Sequence, residues 1–175
     1  TGDGSGELLI TNQEMIAKTF LKHEDLFRRK LGNAFSLDNL LHSIETTESI
    51  EALCNGDFEL KGILLGFGHR SSEVYARIME LGRLFEIQNP ADLSHYQRAV
   101  SRFGENVPTK LLEVGQLLNS LSFTALDPDR NNELNIVGFR LACDDQEGHT
   151  LHAHYKSNTR VMRELHNSGL LPKAA

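Results

Sequence analysis

The chain has only two cysteines in 175 residues, Cys54 and Cys143. That is too few for a disulfide framework, and they lack the paired spacing of a metal knuckle. A single bridge between them would suit an oxidising compartment, but isolated cysteines are more often small buried hydrophobes. Long apolar runs are missing as well. None reaches the roughly 18 residues of a membrane span, and the longest is the interrupted stretch from Gly62 to Gly68. Excess positive charge is also lacking: a net charge of −6 argues against general nucleic-acid binding, which depends on neutralising phosphates. The short basic cluster of Arg28, Arg29 and Lys30 is interleaved with Glu24 and Asp25 and reads as a solvated helix face. Nucleotide and hydrolase fingerprints are absent too. No strand-led triple-glycine loop, no glycine-rich loop ending in lysine and no serine flanked by glycines on both sides occurs.

What remains is ordinary for a globular protein, at 39% hydrophobic and 24% charged residues. The length suits one domain with a core that needs neither disulfide nor metal. Residues 1–6, TGDGSG, look like a linker or cloning remnant, which leaves room for a signal peptide, lipid anchor or membrane helix upstream. Residues 7–175 are expected to form a single, mostly helical domain.

The periodicity supports this. Thr11 and Glu14 have capping-box spacing, and Ile16, Phe20, Phe27 and Leu31 continue one stripe to Gly32, predicting one long first helix with His23 beside the stripe. Ser36 caps a short helix with Leu37, Leu40, Leu41 and Ile44 inward, and Thr47 opens another that stops at Asn55 and Gly56. From Asp57, the spacing of Gly62 and Gly66 predicts two bare positions on one helix face where a neighbour can approach. Val74, Ile78, Leu81 and Phe85 mark the clearest helix. Asn89 and Pro90 predict a cap and first helical residue, with Leu93, Tyr96, Val100 and Phe103 inward. Asn106 and Pro108 open the next helix, with Leu111, Val114, Leu118 and Leu121 inward. Near Ser122 the period falls to two, predicting a small antiparallel β-hairpin with arms at 122–126 and 135–143 and a turn at 127–132. Asp144 and Asp145 can cap a last helix carrying Leu151, Tyr155, Met162 and Leu165, which ends before Gly169.

Three constellations invite chemistry. Asp127, Asp129, Asn131 and Leu134 match a calcium loop, but Asn132 replaces its glycine and Gly138 its bidentate glutamate, so a polar turn is the better reading. His149, His152 and His154 are the densest imidazole cluster. On a helix His149 and His152 share a face while His154 points elsewhere, so zinc chemistry, a metal-dependent hydrolase, stands as the alternative to a solvated face. The corner formed by Gly66, Gly68, His69, Arg70, Ser71 and Ser72 places helix-start amides, a guanidinium and two hydroxyls together, a set suited to a carboxylate or phosphate. The same residues also fit two helices packed through glycine, with Arg70 paired to a neighbouring acid, and a glycine pattern alone is weak evidence for more.

The stretch GILLGFG with Tyr75, together with Gly138, Phe139, Asp144, Asp145, Glu147, Thr150, Tyr155 and Arg160, resembles hypothetical proteins of intracellular bacteria of the chlamydial and Legionella type. The resemblance covers roughly a quarter of the chain, and the group has no assigned activity. It implies a bacterial protein, exported, envelope-associated or membrane-tethered, and carries over no catalytic residue. Because no nucleophile, base and orienting group can be placed together from the sequence, a binding module for a protein partner or small anionic ligand is favoured over an enzyme. That reading needs no cofactor, whereas the alternative needs zinc.

Overall fold

The structure, a computed structural model, describes residues 13–46, 50–124 and 139–168. The expected Thr11 cap, the Thr47 helix start, the turn and calcium-like loop at 127–138 and the stop at Gly169 lie outside the described residues. Among those residues the chain is mostly helical, and no helix is long and apolar enough to cross a membrane. Two compact units divide it, residues 1–56 and 57–175.

In the first unit the expected long helix is two helices, α1 (Gln13–Lys22) and α2 (Glu24–Leu31). His23 leaves helical geometry at φ −120°, ψ 22°, its amide donating to Thr19 and Phe20 carbonyls. The stripe survives the break, because Phe20 and Phe27 meet at 5.3 Å between ring centroids, with Phe35 at 6.2 Å from Phe20. In α3 (Leu37–Thr46) Leu40 is the fully buried residue, and Ser36 and Asn39 bond reciprocally at the start of this helix. The short α4 (Ile50–Leu53) ends in Asn55 and Gly56, both at positive φ.

The second unit begins with α5 (Phe58–Leu64), whose cap Asp57 accepts from the Leu60 amide at 2.9 Å. Gly66 does not share a helix face with Gly62. It sits at φ 77°, where the Gly66 amide donates to Ile63 and the Phe67 amide reaches back to Gly62. This pair of bonds is a Schellman stop, which places the glycine just past the helix end. Gly62 alone provides the close approach. A Cβ there would lie 2.5 Å from Ser72 Oγ and 2.9 Å from Ser72 Cβ, and that hydroxyl is held by a bond donated to the Gly68 carbonyl at 2.6 Å.

Helix α6 (His69–Arg83) starts at His69, so Ser71 and Ser72 belong to its first turn, and Phe85 falls beyond its end. Its residues Val74, Ile78 and Leu81 form a core with Val114 and Leu118 of α8 (Thr109–Ser120). A second cluster joins Ile87, Ala99 and Leu111. The helix between, α7 (Leu93–Ser101), is capped by Asp92, which accepts from the Ser94 amide at 2.7 Å. Asn89 and Pro90 are therefore in the preceding turn rather than at the helix start, and Pro90 is buried against Gly82. The expected stripe is only partly buried: Leu93 is 46% exposed and Phe103, past the helix end, 37%, where both were expected inward.

Strand β1 (Leu121–Thr124) pairs antiparallel with β2 (Phe139–Ala142), Leu121 opposite Ala142 and Thr124 opposite Phe139. The expected alternation does not decide burial at the strand end, since Leu141 and Ala142 are both buried. Cys143 lies past the strand and is exposed, Cys54 is buried, and no disulfide joins them. The last helix, α9 (Gln146–Asn167), packs on α6 and β2.

Candidate functional site

The corner between α5 and α6 is assembled from both directions along the chain. Gly68 is the residue before α6 and adopts φ 83°, ψ 154°, a region open essentially only to glycine. Its missing side chain is also required for space, because a Cβ would sit 2.6 Å from both Asp145 Oδ2 and the Gly148 nitrogen. Lacking a side-chain cap of its own, α6 begins with unsatisfied amides pointing at that gap.

Asp145 fills it. Its Oδ2 accepts from the Ser71 amide at 2.7 Å and from the Ser71 hydroxyl at 2.5 Å, while its Oδ1 accepts from the Gly148 amide at 2.8 Å. Ser71 and Gly148 are the third residues of α6 and α9, so one carboxylate serves as N-cap to two helices. Glu147 adds a second acid, accepting from the His69 amide at 3.2 Å. The Ser71 oxygen in turn accepts from the Ala142 amide at 3.0 Å, tying the end of β2 to the same point.

Asp145 is 3% exposed, and among the described residues no cation pairs with it. Burying a lone carboxylate costs several kcal/mol. Three charge-assisted hydrogen bonds, about 1.5–3 kcal/mol each, offset that cost, and the positive ends of two helix dipoles add to them. Arg70 bonds other acids than this carboxylate. Its Nη1 donates to Glu73 at 2.8 Å and its Nε to Asp144 at 3.4 Å, and Glu73 before Asp144 holds the guanidinium above its ordinary pKa. His69 Nε2 lies 3.2 Å from Glu59 Oε1.

The sequence-derived site residues thus come together in space, with Gly66 as the α5 stop, Gly68 as the gap and His69 to Ser72 as the first turn of α6. The carboxylate they hold belongs to the chain itself. Sequence reasoning recognised Asp145 as a cap for α9 but not its reach back across 74 positions to Ser71. Gly148 was the available signal, since a glycine inside a helix's first turn marks a place where something approaches closely, here Asp145 and Leu141.

The histidines do not form a comparable cluster. His149 and His154 are exposed and His152 is half-buried, and His154 falls across α9 from His152 at helical pitch. Among the described residues no three His, Cys, Asp or Glu side chains come together as a metal ion would need. Burial, then Lys156 and His149, pushes the His152 imidazole below the usual histidine range, which keeps it neutral near pH 7. No protein-family model matches the chain, and no match exists among curated proteins or solved structures.

Proposed function

We propose that this chain is a binding module for a protein partner, and that the far part of α9 presents the contact surface. The observation that carries this reading is the exposure of the described positions in the far part of α9. Asp145 and the first two turns of α9 hold the helix, and every residue from Ala153 onward whose exposure is described is exposed. Those positions include Lys156, Arg160 and Val161.

Charge suggests the partner's chemistry. The whole chain carries −6, yet residues 153–168 hold three basic residues, Lys156, Arg160 and Arg163, against the single acid Glu164. This local excess of basic residues on an acidic protein suits an acidic protein surface, although Arg160 also pairs with Glu164 at 3.1 Å. A membrane is the weaker fit, since lipid headgroups call for roughly 4–8 clustered basic residues. Catalysis has less support, because the Ser71 hydroxyl is buried and already bonded to Asp145 and Ala142.

A photo-crosslinking residue placed at Val161, with one at exposed Gln97 of α7 as control, tests the reading. The expected result is a discrete protein adduct from position 161 only, weakened by added salt and abolished by Lys156→Glu with Arg160→Glu. An adduct that survives charge reversal, or binding to phosphatidylserine vesicles without any protein adduct, would overturn it.

A further inference from the structure

We propose that Asp145 is a latch that holds α9 as a separately releasable unit on an otherwise self-sufficient core. Three observations converge on the joint. The carboxylate is buried without a cationic partner among the described residues, and its bonds to the Ser71 amide and hydroxyl exist only while the starts of α6 and α9 face each other. The joint has no slack, because a Cβ at Gly68 or at Gly148 would strike the carboxylate at 2.6 or 2.8 Å. Among the described residues, the core of Val74, Ile78, Leu81, Val114, Leu118, Leu121 and Ala142 draws on α6, α8 and the two strands.

The consequence is a two-state element. Closed, Asp145 and Glu147 occupy the amides of α6. Open, α9 swings on the turn at Cys143 and Asp144, while α6 and α8 stay packed and β2 stays paired with β1. Partial opening of this kind is how proteins release one cooperative segment below the free energy of global unfolding. The latch is independent of whether α9 meets a protein partner.

Asp145→Asn in the full chain separates a shared cap from an ordinary one. Asparagine caps a single helix about as well as aspartate, but it has one carbonyl oxygen where two helix starts each require an acceptor. Hydrogen exchange followed by mass spectrometry should show α9 amides exchanging at least roughly tenfold faster, with α6 and α8 unchanged, as expected for sub-global opening. Gly148→Ala is the second variant, because its two possible effects have opposite signs. Alanine favours a helix over glycine while wedging the joint, so the latch predicts faster exchange in α9 and propensity alone predicts slower. The proposal is overturned if Asp145→Asn leaves α9 protected, if α6 and α8 lose protection together with α9, or if Gly148→Ala slows exchange in α9.

Discussion

At the scale of single residues, polar groups in this chain are placed where the backbone has a need, and His152 shows what happens where burial dominates. Its folded-state pKa lies below the ordinary 6.5 because burial, Lys156 and His149 all disfavour the imidazolium. A depressed histidine pKa contributes stability that is fully present above about pH 6.5. It is lost as pH falls through 6.5 toward the folded value, since the unfolded chain takes up the proton first. The melting temperature of the wild type should therefore fall more steeply between pH 7.5 and 5.5 than that of His152→Gln. Parallel curves for the two proteins would show that protonation of His152 does not bear on folding.

At the scale of elements, helix ends decide the architecture, and the same stop occurs twice with different residues. Gly66 closes α5 at φ 77°, and Glu86 closes α6 at φ 52°, with the Ile87 amide reaching back to Gly82 and the Glu86 amide to Arg83. A side chain in the left-handed region costs about 1–2 kcal/mol, and glycine's freedom in the unfolded chain gives back about 0.4–1. Glu86→Gly should therefore stabilise the protein by roughly 0.5–1 kcal/mol in urea denaturation; a lower midpoint would mean that Glu86 is not strained. Helix interiors were legible in the sequence, because Val74, Ile78, Leu81, Leu111, Val114 and Leu118 repeat at helical period and all are buried. Helix ends were less so. Asn89 and Pro90 have the composition of a start, yet Asp92 has the cap, because the turn bonded from Asp92 to Asn89 precedes the helix. The break at His23 carries no glycine or proline to announce it. The glycines and helix-start amides of the corner were legible, because they are local in sequence; Asp145 as the acceptor they face was not, because its 74-residue reach leaves no local pattern.

At the scale of the whole molecule, protection should grade from the α6–α8 core outward. Ile78, Leu81, Val114 and Leu118 are 4% exposed or less, so their amides should be the last to exchange with deuterium in a native-state experiment, and those of Ala153 to Arg160 among the first. Comparable rates in the two sets would contradict this gradient. The shared cap also bears on how the chain is made. A ribosome adds about 5–20 residues per second, so after Ser71 is synthesised roughly 4–15 s pass before Asp145 exists at all. For that interval α6 has its hydrophobic stripe but no acceptor for its opening amides, and a nascent chain arrested before residue 145 carries an open, positively polarised helix start. Until then the corner of Gly68 and Ser71 is still open to a foreign anion; in the finished protein Asp145 fills it.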